Sequence, residues 1–135
     1  MTRRQFIMQA FADYYGIEKE DNELYRMDSY DFEFGTRLNN SGWLNLKRAV
    51  YCTEHFFDEI GDSPITEDTV SNYVCDYFDV EGDKDSYEYQ AGCYLNHNWL
   101  SIETIVDCIE DRLVPERWYM QSLSDKNMEL DDYER

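Results

Sequence analysis

The sequence predicts a mainly α-helical α+β fold: four to five helices with a small two- to three-stranded antiparallel sheet. Three observations carry it. Apolar residues recur at three- and four-residue spacing in four separate stretches, each bounded by capping or breaking residues; two shorter stretches alternate instead; and the apolar content is high for so charged a chain. Of 135 residues 42% are hydrophobic, and 3 Trp, 12 Tyr and 7 Phe provide bulk for a core. That length fits one domain, expected over 1–123, followed by an acidic tail over 124–135.

Taken in order, Thr2 caps a first helix whose face is Phe6, Ile7, Ala10, Phe11, Tyr14 and Tyr15, and Gly16 ends it. Tyr30, Phe32 and Phe34 then alternate with Asp31 and Glu33, the period of a half-buried strand. After Ser41-Gly42 a second helix turns Leu46, Ala49, Val50, Thr53, Phe57 and Ile60 inward, and Gly61 with Pro64 stops it. Thr66 caps a third, in which Glu67 and Asp68 suit the positive end of the helix dipole and Val70, Tyr73, Val74, Tyr77 and Phe78 face the core. Tyr87, Tyr89, Ala91, Cys93 and Leu95 form the second alternating stretch, expected to pair with the first. Ser101 caps a fourth helix carrying Ile102, Ile105, Val106, Ile109 and Leu113; Pro115 interrupts it, and Trp118, Tyr119 and Leu123 dock a short fifth. Most of Trp43, Phe56, Phe57, Tyr73, Tyr77, Phe78, Trp99 and Trp118 are expected in the core. No Ser/Gly-rich or Pro-rich linker divides the chain, and no repeat of 20–50 residues is evident. The tail holds Asp125, Glu129, Asp131, Asp132 and Glu134 with little to bury, so it is expected to fray.

Thirty acidic residues against twelve basic ones give a formal charge of −18. From 54 to 88 twelve acids face Lys84 alone, and on the fourth helix Glu103, Asp107, Glu110 and Asp111 share a face at spacings where like charges repel. Self-repulsion on this scale destabilises a compact chain and asks for a reason. It argues against direct nucleic-acid binding and against anionic membranes, and no run approaches the ~18 apolar residues of a spanning helix. The apolar N-terminal residues are interrupted by Gln9 and Asp13, unlike a signal-peptide core. Cys52, Cys75, Cys93 and Cys108 form no Cys-x-x-Cys pair and read as free thiols of a reducing compartment, so the expected localisation is cytoplasmic, that of the host cell if the chain is phage-encoded.

Enzymatic motifs are missing. With only His55 and His97, and no Gly-x-Ser-x-Gly, phosphate loop or His-Glu-x-x-His, no enzyme is expected, although thirty acids leave a paired-carboxylate hydrolase open. Cys52 with His55 and Cys93 with His97 could make a split zinc site, but neither spacing is the tight turn-based pair such sites use, and no metal is expected. The stretch 79–85 resembles a calcium loop with Gly82 as its glycine; Tyr77 would then be the first ligand, which it cannot be. No cofactor is expected.

The reading that uses the charge is mimicry. Carboxylates one helical turn apart lie ~5–6 Å from each other, near the spacing of successive phosphates, so such a helix can occupy a basic nucleic-acid groove. In size, charge and the acidic stretch from Glu54 to Asp111 the chain resembles the DNA-mimic antirestriction and anti-CRISPR proteins of phages and mobile elements. That resemblance implies a non-enzymatic inhibitor of a host nuclease, a CRISPR effector or a restriction enzyme, and implies nothing about fold. The expected partner-binding residues are Glu67, Asp68, Asp76, Asp79, Glu81, Asp83, Asp85, Glu88, Glu103, Asp107, Glu110 and Asp111, with Tyr87 and Tyr89 beside them to grip arginines. Three alternatives stay open: an immunity protein against a nuclease toxin, an acidic adaptor or structural module, and acidity that serves solubility alone.

Overall fold

A computed structural model describes residues 1–18, 23–38, 42–81, 84–95 and 98–123. The fold is mainly helical α+β, as the periodicity predicts. Helix α1 (Arg3–Tyr15) opens on a capping box: the Thr2 hydroxyl accepts from the Gln5 N–H while the Gln5 side chain accepts from the Thr2 N–H. Gly16 ends it in the left-handed conformation, and the Ile17 N–H closes on the Ala12 carbonyl at 2.8 Å. A 3₁₀ turn (Glu23–Tyr25), helix α2 (Tyr30–Phe34) and a hairpin of β1 (Thr36–Leu38) and β2 (Gly42–Leu44) follow, with Arg37 opposite Trp43. Helix α3 (Leu46–Ile60), capped by Asn45, ends the first half. Helix α4 (Thr69–Phe78), helix α5 (Tyr87–Gln90), a second hairpin of β3 (Cys93–Leu95) and β4 (Asn98–Leu100), and helix α6 (Ile102–Cys108) make the second. The chain then continues through a π-helical turn (Ile109–Leu113) and a 3₁₀ turn (Val114–Glu116) that contains Pro115 into α7 (Arg117–Ser122).

Both alternating stretches were expected as strands, and both begin as helices. Ser29 and Ser86 decide this: each hydroxyl accepts from the N–H three residues on, Phe32 and Tyr89, at 3.2 Å. Once the first turn is capped, five residues of alternation cannot distinguish a helix from a strand, and the strands form beyond, as two separate two-stranded hairpins instead of one sheet. Two caps also differ from expectation. Thr66 bonds to Thr69 and the cap position of α4 falls on Asp68, while the Ser101 hydroxyl donates to the Ala91 carbonyl instead of capping α6.

The two halves are copies of one unit. The order α1, α2, β1, β2, α3 matches α4, α5, β3, β4, α6. Ser29-Tyr30-Asp31-Phe32-Glu33 corresponds to Ser86-Tyr87-Glu88-Tyr89-Gln90, Gly35 to Gly92, Trp43-Leu44 to Trp99-Leu100, and Leu46, Ala49, Val50 and Cys52 to Ile102, Ile105, Val106 and Cys108. The offset is 63 positions between α1 and α4, 57 from the Ser caps to the glycines, and 56 past the hairpin tips. The first helices end alike: Asp79 takes the left-handed conformation of Gly16, and the Val80 N–H closes on the Cys75 carbonyl at 3.0 Å as Ile17 closes on Ala12. A repeat is therefore present where the sequence reading saw none.

The halves also interlock. Trp43 of β2 stacks on Trp99 of β4 with ring centroids 5.1 Å apart, and the Ser101 N–H donates to the Trp43 carbonyl. A Cβ on Gly35 would stand 2.3 Å from the Trp99 carbonyl oxygen, and one on Gly92 2.9 Å from the Ser101 hydroxyl and 3.0 Å from the Trp43 ring. Both glycines have positive φ, so conformation and close approach each require them. Around this contact a continuous core forms, with Phe11, Phe56, Phe57, Leu44, Leu100, Ile105 and Ile109 almost wholly buried; Cys52 and Cys108 occupy matching buried positions where burial pushes both thiols up. Tyr77, Trp99 and Trp118, expected inside, are 39%, 38% and 63% exposed.

Candidate functional site

Acidic residues differ in role between the repeats. Residues 1–61 hold eleven acids and seven bases; residues 62–123 hold fourteen and three. In the first repeat acids join elements. The Arg4 guanidinium grips Glu54 through two nitrogens at 2.9 and 2.7 Å, Arg3 reaches Asp58 at 2.7 Å, and Lys47 reaches Glu33 at 2.9 Å. The first two pairs tie α1 to α3, so Glu54 and Asp58 are structural acids and do not belong with the run that follows them.

In the second repeat the acids face solvent around an open cleft of about 1010 Å³ along α4 and the chain after it. Asp68, Asp76, Asp79, Glu81 and Asp85 line it, with Lys84. Asp68 precedes α4, Asp76 lies on it, Asp79 ends it in the left-handed conformation, and Glu81 and Asp85 come from the chain after it. Over its floor lie half-buried Cys75 and Val80 and buried Tyr89. Lys84 approaches Asp68 at 3.6 Å, both side chains being at least half exposed, a geometry worth ~0–1 kcal/mol.

The carboxylates of α6 and the turn after it belong to the same field. Asp107 is half-buried, and burial, then Glu103, Asp111 and Glu110, push its carboxyl up to about 6 while Lys84 pulls it down. Glu110 is raised by burial and by Asp111, Glu67 and Asp68, again against Lys84. Glu67 and Asp68 at the start of α4 thus act on Glu110 just after α6, and the fold brings together two groups that lie some forty residues apart. Asp111 is also tied to the first repeat, because the Tyr14 hydroxyl donates to it at 2.6 Å. In each raised carboxyl burial, and then the neighbouring acids, disfavour the charged form that a nearby cation would favour.

The remaining expected residues divide. Tyr87, at the first position of α5, is 73% exposed, and Glu88 beside it is exposed. Burial raises the Cys93 thiol and the charge of Glu88 raises it further, so Glu88 acts toward β3. Tyr89 cannot grip a partner's arginine with its ring face, since it is 3% exposed and takes the core position held by Phe32 in the first repeat; alternation suggested a surface strand, but the Ser86-capped helix turns it inward. Asp83 and Gly82 lie outside the described residues, and so does His97 of the zinc reading. Cys52 is fully buried, His55 is exposed against the Tyr77 ring, and Cys93 directs its thiol to the Leu100 carbonyl at 3.8 Å. Among the described residues no group of three or more His, Cys, Asp or Glu could hold a metal ion.

Sequence reasoning singled out Lys84 as the lone base of the acidic run but missed its approach to Asp68, and missed Cys75 and Val80 as floor residues. The signal was the shared Ser-Tyr-acid-aromatic and Trp-Leu pattern, which would have aligned the halves and exposed their difference in charge. Among the described residues no helix is long and apolar enough to cross a membrane. Compared with known proteins, the chain matches no family model, no curated protein and no solved structure.

Proposed function

We propose that the chain is a non-enzymatic acidic inhibitor whose second repeat occupies the nucleic-acid-binding surface of a basic partner, a nuclease of the CRISPR-effector or restriction type, with carboxylates standing where phosphates would. The observation that carries this reading is the difference between two copies of one fold. The first copy folds with eleven acids and seven bases, so the unit does not need fourteen acids against three. Solubility alone would spread its charge over both copies. Instead Glu67, Asp68, Asp76, Asp79, Glu81 and Asp85 crowd one side, next to Glu103, Asp107 and Glu110, where burial and mutual repulsion raise Asp107 and Glu110.

A basic groove returns that cost. Close interfacial charge pairs couple by ~1.5–7 kcal/mol, and a groove that binds a polyanion gains by counterion release whichever polyanion it takes. Asp76 stands on α4 with Asp68 and Asp79 at its two ends, and Glu103 and Asp107 stand on α6, so little ordering cost is left for these carboxylates on association. Competition tests the reading. A nucleic-acid-binding partner mixed with duplex and with this protein should form one complex or the other, and salt should weaken both. A ternary complex in a gel shift would replace mimicry with an adaptor or allosteric role.

A further inference from the structure

The two repeats differ in one segment as well as in charge, and that segment identifies a second kind of contact. Between Ile17 and the capping Ser29 the first repeat has eleven residues; between Val80 and the capping Ser86 the second has five. The start and end of the segment are equivalent, because the left-handed turns at Gly16 and Asp79 and the Ser caps of α2 and α5 superpose in pattern and hydrogen bonding. In the first repeat the longer segment carries the 3₁₀ turn, whose Leu24 is 1% exposed within the core and whose Tyr25 hydroxyl donates to the Met8 carbonyl of α1 at 3.2 Å. Met8 corresponds to Ser71 of α4, which lines the acidic cleft. The cleft of the second repeat is therefore the place that Leu24 and Tyr25 fill in the first.

We propose that this cleft is a docking groove for a short turn of the partner that presents an apolar anchor of leucine or tyrosine size flanked by arginine or lysine. The anchor replaces Leu24 and Tyr25 over the floor of Cys75, Val80 and Tyr89. The basic flanks meet Asp76, Asp79 and Glu81 on the rim and displace Lys84 from Asp68. Charge complementarity selects the flanks, and the internal copy selects the anchor; the identity of the partner rests on the function proposed above, while the groove does not.

Two peptides of equal charge test this: one with an Arg-Leu-Tyr-Arg centre, and one with Gly-Gly in place of Leu-Tyr. At low salt the first should bind the full chain at least about tenfold more tightly, because its anchor leaves water. It should also slow maleimide alkylation of Cys75, the half-buried thiol of the groove. Replacing residues 81–85 by residues 18–28 exchanges three acids and one base for five and two, leaving net charge nearly unchanged while supplying the plug. In that variant the advantage of the first peptide should vanish while the Gly-Gly peptide still binds. Equal binding of both peptides to the parent chain, no protection of Cys75, or an anchor preference that survives the graft would overturn the groove and leave the acidic reading standing. Failure of both peptides to bind would sink the two together.

Discussion

The first and second repeats have one topology and opposite uses for charge. In the first, acids are spent between elements: Arg4 clamps Glu54 and Arg3 reaches Asp58, joining α1 to α3. In the second, α4 packs on α6 without a counterpart of either bond among the described residues, and its acids look outward around a cleft. What stabilises both is what they share: the Ser caps, the two positive-φ glycines, the stacked tryptophans and the apolar faces of α3 and α6. A property that one copy lacks is not a requirement of the fold, and the large excess of acids over bases in the second repeat is such a property.

The largest test of that contrast is charge reversal. Changing Asp76, Asp79, Glu81 and Asp85 to lysine should leave the circular dichroism spectrum and melting cooperativity intact yet remove partner binding, since each close pair is worth more than ~1.5 kcal/mol. Reversing exposed acids of the first repeat, Asp13 and Glu18 with Asp28, should cost far less. If the first-repeat set proved the more damaging, the site would be on the wrong half.

Next comes the clamp. Arg4 and Glu54 have side chains only 14% and 12% exposed, so Arg4→Met strands a nearly buried carboxylate and should cost about 3–5 kcal/mol in urea denaturation. Lys84→Gln, which breaks the exposed pair in the other repeat, should change stability by no more than about 1 kcal/mol.

Substituting the equivalent glycines should rank in the same way as their surroundings. Gly35→Ala drives a Cβ against a backbone oxygen, which cannot rotate away, and at a φ of 104° it is strained as well. Gly92→Ala first meets the Ser101 hydroxyl, a side chain that can turn. Both should lower the melting temperature, with about 1–3 kcal/mol lost for backbone strain alone and Gly35→Ala the worse. Equal effects would mean that the hairpin contact tolerates more than the geometry suggests.

The smallest effect is on pH. Asp107 titrates near 6 in the fold against an ordinary value of 3.8, so between those values the native chain holds more protons than the unfolded one. Stability from this group therefore rises as pH falls through 6 toward 4, and cation binding weakens over the same range. Asp107→Asn should flatten both trends, read from denaturation midpoints and peptide affinities at pH 7 and pH 5; an unchanged slope would remove Asp107 from the acidic field.

Long elements were legible in the sequence and short ones were not. The face of α3 from Leu46 to Ile60 and that of α6 from Ile102 follow period and punctuation, because a helix of several turns repeats its pattern often enough to exclude a strand. Tyr30 to Phe34 and Tyr87 to Gln90 are too short for that, and a single Ser-to-backbone bond outweighs their alternation. The same misreading put Tyr89 on the surface. Of the acidic site, Asp68, Asp76, Asp79, Glu81 and Asp85 were legible from charge alone, but charge could not tell them from Glu54 and Asp58, whose arginines lie fifty and fifty-five positions away in sequence. The repeat was hidden by its one-residue change of register at the hairpin and by a segment that differs in length between the copies.

The measurement that bears most directly on the central claim is sedimentation of three components: this protein, a nucleic-acid-binding protein that it retains at low salt, and a duplex labelled for detection. The duplex should be released as this protein is added, no species should contain all three, and the reversal of Asp76, Asp79, Glu81 and Asp85 should leave the duplex bound. A species in which duplex and this protein ride together on the same partner, unaffected by those reversals, would contradict that claim.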